Sequence, residues 1–176
     1  NKLKLNNGKT ELLLIQSPHR PLPPLQNINC GTEMIKPTKS AKNIGVWFDN
    51  IMSMSKQVNA ICKKAFYHLR NIASIRRFLS QQHCEILIHA FVTSALDCCN
   101  SLLYGLPQYE IKKLQHVQNA AARLLTRTGK YEHITPILKE LHWIPVDQRI
   151  EFKILVLTFK ALNGTAPKYL RDLLIL

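Results

Sequence analysis

The stretch SKQVNAICKKAFYHLRNIASIRRFLS, residues 55–80, decides how the chain reads. Its apolar positions Val58, Ile61 with Cys62, Ala65, Leu69, Ile72, Ile75 and Leu79 recur at three- and four-residue steps, the stripe of one amphipathic helix. The other face carries Lys56, Lys63, Lys64, Arg70, Arg76 and Arg77, with no Asp or Glu between residues 56 and 79. Charge runs on helices usually form solvated faces, but such faces mix signs, because like charges at i,i+4 repel by about 0.3 kcal/mol per pair. Six cations without an anion therefore favour an anionic partner, and a nucleic-acid backbone is the foremost candidate. A membrane surface or an acidic protein groove is the lesser alternative.

The rest of the chain sharpens that contrast. Of its 176 residues, 24 are Lys or Arg and 11 are Asp or Glu, for a net charge of +13. Residues 55–130 hold 11 basic and 3 acidic side chains, residues 1–54 hold 7 and 3, and residues 131–176 hold 6 and 5. The excess thus sits in the middle and the C-terminal segment is close to neutral. A hydrophobic share of 46% excludes wholesale disorder. The longest uncharged apolar run, residues 86–96, is far shorter than the roughly 20 residues of a membrane span. The first residues lack the apolar core of a signal peptide. Five cysteines without CxxC spacing argue for a reducing compartment, so the chain reads as intracellular, nuclear or cytoplasmic, with no membrane partner. A start at Asn1 rather than Met suggests a piece of something longer.

Downstream of residue 80 the helical period continues. Ser80 suits the cap of a second helix reaching about residue 96, apolar nearly all round. Pro107 suits the first turn of a third helix with Ile111, Leu114, Val117, Ala121, Leu124 and Leu125 as its stripe. Thr135-Pro136 opens a short fourth helix ending near His142. Pro145 opens a fifth, closed by Asn163-Gly164, and Pro167 begins a last turn or two. Upstream the period is that of strands. Leu12-Leu13-Leu14-Ile15 suits a buried strand, and Arg20-Pro21-Leu22-Pro23-Pro24 must be a loop. Residues 25–28 and 33–35 suit a hairpin about Asn29-Cys30-Gly31, and residues 43–48 suit a further strand. The fold class is therefore mainly α: a helical bundle over residues 51–176, preceded by a small β-rich stub over residues 1–50.

Little in the chain carries chemistry of its own. Asp49, Asp97, Asp147 and Asp172 are isolated, and His83, Cys84 and His89 miss the i,i+4 spacing of a metal pair on a helix. Only 6 glycines are present, none in a phosphate-cradling loop, and no nucleophile elbow occurs. No catalytic residue, metal site or cofactor is expected in this chain.

Several segments, in order along the chain, resemble one family. Leu3-Lys4-Leu5-Asn6 with Lys9-Thr10-Glu11-Leu12-Leu13-Leu14-Ile15, and Asn43-Ile44-Gly45-Val46-Trp47-Phe48-Asp49, resemble late-palm elements of non-LTR, LINE-type (jockey-like) retrotransposon reverse transcriptases. Similar to stretches beyond the palm are residues 89–100, residues 114–124, His133-Ile134-Thr135-Pro136, Leu141-His142-Trp143-Ile144-Pro145-Val146 and Phe159-Lys160-Ala161-Leu162-Asn163-Gly164. Ile44 stands where leucine is usual, and Trp47 replaces a smaller residue.

The resemblance implies that residues 1–50 end a polymerase palm and that residues 51–176 form the thumb and C-terminal helices. It implies a parent RNA-directed DNA polymerase that uses Mg2+ held by palm aspartates, with the upstream palm and fingers as partners. Those aspartates, including a Tyr-x-Asp-Asp pair, are expected upstream; no Asp precedes Asp49, so the chain should be inactive alone. It implies a primer-grip-like element at Ile44, Gly45 and Val46, and Lys9 as a residue approaching nucleotide phosphates. Gly45 reads equally as a site of close backbone approach or as a bulge glycine, and Lys9 as a strand-edge gatekeeper. The alternative is a non-catalytic, host-adopted or decayed helical module that binds nucleic acid or a protein.

Overall fold

A computed structural model describes residues 6–17, 19, 27–30 and 33–174. The chain is mainly helical, with a few small sheets ahead of the helices, as expected from the change of period near residue 55. It divides into two units, Asn1–Gln57 and Val58–Leu176.

In the first unit, β1 (Leu12–Leu13) pairs in parallel with β4 (Pro37–Thr38), and β2 (Ile28–Cys30) pairs antiparallel with β3 (Glu33–Ile35). β5 (Ser40–Asn43) pairs antiparallel with β6 (Val46–Asp49), Asn43 facing Val46. Three expectations are corrected here. The 12–15 run is not a buried strand: only Leu12–Leu13 pair, both are half-buried, and Ile15 is exposed. Residues 43–48 are not one strand but the turn and second arm of a hairpin. Ile44 and Gly45 both have positive φ, 46° and 88°, which is the two-residue turn whose twist matches the strands. The β2–β3 hairpin also takes in Asn29 and Cys30 as strand. The expected loop at residues 20–24, Leu25-Gln26 and Gly31 lie outside the described residues, as do residues 1–5 of the resemblance.

The first helix, α1 (Ser55–Ile75), starts within the first unit, so the division falls at Gln57 rather than at residue 50. The reason is local: Gln57 Oε1 accepts the Trp47 amide at 3.0 Å, and Lys56 Nζ donates to Ser40 Oγ at 2.7 Å. The turn into α1 is wound around Asp49. Its Oδ1 accepts the amides of Ile51 and Ser53, and its Oδ2 accepts the Ser53 hydroxyl and the Met54 amide.

The second unit is built on α1 and α4 (Gln108–Thr126). Lys113 reaches Asn59 near the two starts and Arg76 reaches Leu124 and Leu125 near the two ends, so the helices run alongside in the same direction. Val58, Ile61, Ala65, Leu69 and Ile72 of α1 meet the interior with Ile111, Leu114, Val117, Ala121 and Leu125 of α4. Ile75 is exposed and Leu79 half-buried, so the stripe of α1 ends earlier than its spacing suggests.

Ser80 caps α2 (Gln81–Ile88), accepting the His83 amide at 3.2 Å. The helix then widens into a π-turn at His89–Thr93 before α3 (Ser94–Asp97). α5 (Ile134–Glu140) and α6 (Val146–Leu162) follow, α6 capped by Pro145. Gly164, at φ 69°, ends it, and α7 (Lys168–Arg171) comes last. No helix among the described residues is long and apolar enough to cross a membrane.

Candidate nucleic-acid interface

Of the six basic residues, four lie exposed in the second unit: Lys63, Lys64, Arg70 and Arg77. Lys63 and Arg70 are seven residues apart on one helix, hence on one face and about 10 Å apart along its axis. That is about three nucleotide steps of a duplex strand at 3.4 Å each. Arg77 follows one further heptad on, in a 3-10 turn (Arg76–Phe78), with its guanidinium 4.6 Å from the centre of the exposed Phe78 ring. None of the ion pairs formed among the described residues involves these four cations.

Arg76 does not belong to that face. It is 8% exposed, and its guanidinium donates from Nε to Leu124 O at 3.1 Å, from one terminal nitrogen to Leu125 O at 2.9 Å, and from the other to Leu79 O at 2.9 Å. The last carbonyls of a helix lack partners and carry partial negative charge, so a buried cation at the end of α4 both satisfies and neutralises them. The signal was in the spacing: residue 76 continues the 58, 61, 65, 69, 72 stripe.

Lys56 lies in the first unit and is already engaged. Besides its bond to Ser40, its ammonium sits 3.4 Å from the centre of the Trp47 ring, a close cation–π contact. The primer-grip-like residues divide by role. Val46 is buried, Gly45 supplies the positive φ of the hairpin turn rather than a bulge, and Ile44 stands 95% exposed at the tip. A β-branched residue in the left-handed region is strained. Lys9 is exposed at the end of a 3-10 turn (Asn7–Lys9), ahead of β1 rather than at a strand edge.

Tyr67 carries no charge, so the charge pattern does not mark it. It is exposed, lies between Lys63 and Arg70 on the same face, and packs edge-on against His68, which in turn stacks on Phe91 at 5.0 Å. A ring held in this way offers a stacking surface among the cations.

The segments that carry the resemblance are spent largely on internal bonds. Gln115 Oε1 accepts the Val146 amide at 2.9 Å, and Gln118 donates to Ile144 O at 2.9 Å, so α4 clasps the start of α6. The Gln115 amide donates to Gln118 and Asn119, which completes the network. Arg123 donates to Gly129 O and Glu132 O. Arg149 makes a two-pronged pair with Asp97, its Nε 2.8 Å from Oδ1.

Three of the five thiols are held toward the protonated form by their surroundings. Burial raises the Cys62, Cys84 and Cys99 values, and the Cys98 thiol beside Cys99 adds to the last. Among the described residues, no three His, Cys, Asp or Glu side chains gather as a metal site would need. The fold and the site thus define a helical bundle with one cationic helix face. No protein-family model matches the chain, and comparison with curated proteins and with solved structures gives no match.

Proposed function

We propose that the chain grips the sugar–phosphate backbone of a primer–template duplex, as part of a LINE-type, jockey-like reverse transcriptase whose polymerising aspartates and Mg2+ belong to its palm. The observation that carries this reading is the exposed set Lys63, Lys64 and Arg70 on α1 with Arg77 in the turn after it, none of them ion-paired among the described residues. Each cation contacts a phosphate and releases counterions, and Tyr67 stacks against a base or sugar between them. Lys9 and the exposed Ile44-Gly45 tip are secondary contacts in the first unit, whereas the engaged Lys56 and the buried Val46 are not. The chain supplies binding and the rest of the polymerase supplies the reaction.

The test is binding of a fluorescent RNA–DNA hybrid by the chain and by the fourfold variant Lys63→Gln, Lys64→Gln, Arg70→Gln, Arg77→Gln. Loss of most of the affinity at low salt supports the reading, and unchanged affinity overturns it.

A further inference from the structure

Among the described residues, helix α6 presents a second uncovered face, and it is apolar. Phe152, Leu155, Phe159 and Leu162 are 59%, 66%, 65% and 50% exposed. Their spacing of three, four and three residues is the a/d seam of a coiled coil rather than scattered surface apolarity. Together they leave on the order of 500 Å² of apolar side chain in water, within the range of a functional patch on a monomer.

We propose that this seam is the interface between two copies of the chain, paired antiparallel about a twofold axis between Leu155 and Phe159. In that register Phe152 faces Leu162 of the second copy and Leu155 faces Phe159 of the second copy. Every layer then pairs one phenyl ring with one smaller side chain, and the patch is self-complementary, as an isologous contact requires. Pairing covers about 1,000 Å², the lower limit of a specific interface.

Charge favours the same arrangement. Residues 131–176, with 6 basic and 5 acidic side chains, are the near-neutral part of a chain of net charge +13, so copies meet there with least repulsion. Within the segment, Asp147 and Glu151 against Lys153 leave the start of α6 acidic. Lys160, Lys168 and Arg171 against Asp172 leave its end basic. Arg149 is taken up by Asp97. Antiparallel pairing sets the acidic start on the basic end and opposes the two helix dipoles.

Sedimentation equilibrium of the 176-residue chain over a concentration series tests this. The wild type is expected to approach twice the 20.2 kDa of one chain. Leu155→Glu is expected to hold it at one chain, with helicity unchanged because the side chain is exposed. Leu155→Glu combined with Phe159→Lys restores the dimer, since those positions face each other only in the antiparallel register. A wild type that stays at 20.2 kDa throughout overturns the proposal. So does a Leu155→Glu variant that still dimerises, or a double variant that does not.

Discussion

Two sides of one helix use the same residue types for opposite ends. On its inner side α1 runs into Arg76, the first residue of the turn that follows, whose guanidinium is consumed by two carbonyls of α4 and that of Leu79. On its outer side Lys63, Lys64, Arg70 and Arg77 have no ion pair among the described residues. Arg76 and Arg77 are neighbours in sequence and differ only in which way the turn points them. If the proposed function holds, inward polar groups set stability and outward cations set binding, and the two should separate under mutation.

The largest effect expected is at Arg76. Arg76→Gln strands helix-end carbonyls in the interior and should cost about 3 kcal/mol, read as a lower midpoint in urea, while the salt dependence of nucleic-acid binding keeps its slope. If Arg76→Gln instead leaves the midpoint in place and flattens that slope, the inward and outward roles have been exchanged.

Asp49 comes next. Burial alone would raise its carboxyl value, but the Ser53 amide and hydroxyl and the amides of Met54 and Ile51 outweigh it and hold the group below its ordinary value. A depressed folded value means the contribution is full above the unfolded carboxyl value, near 3.9, and is lost as pH falls through the folded one. Asp49→Asn should cost about 2 kcal/mol in the first unit and remove that acid sensitivity, followed by amide exchange of the β5–β6 hairpin between neutral and acidic pH.

Gln118→Leu should cost about 1 kcal/mol by freeing Ile144 O, and hydrogen exchange should rise at the first turn of α6. The smallest change expected runs the other way. Ile44→Asn places an Asn-Gly pair in a turn that demands positive φ at both positions, and should gain roughly 0.5 kcal/mol for the first unit. Amide exchange in the β5–β6 hairpin is the readout, and a loss there would mean the exposed isoleucine is held by contacts outside the turn.

Much of the fold is legible along the chain because helices and their ends are local. The Ser80 cap, Pro145 and Gly164 each act through bonds to residues within one turn. The α1 stripe is readable too, as far as Ile72. What the sequence hides is tertiary. The clasp from Gln115 and Gln118 to Val146 and Ile144 spans 31 and 26 residues, and nothing in periodicity marks it. Arg76 was hidden for another reason: charge suggested the solvent face although its spacing placed it inside. The Ile44-Gly45 turn eluded reading because isoleucine disfavours positive φ. The exposed seam of α6 looks like core in the sequence, since apolarity alone does not say what covers it.

The most direct test is the slope of log K against log salt for an RNA–DNA duplex, measured for the wild type, Arg77→Gln and the fourfold glutamine variant. Each phosphate contact contributes about 0.9 to the magnitude of that slope. The prediction is a fall of about one for Arg77→Gln and between three and four for the fourfold variant, with thermal midpoints unchanged. Equal slopes for all three proteins would contradict the claim that this helix face holds a nucleic-acid backbone.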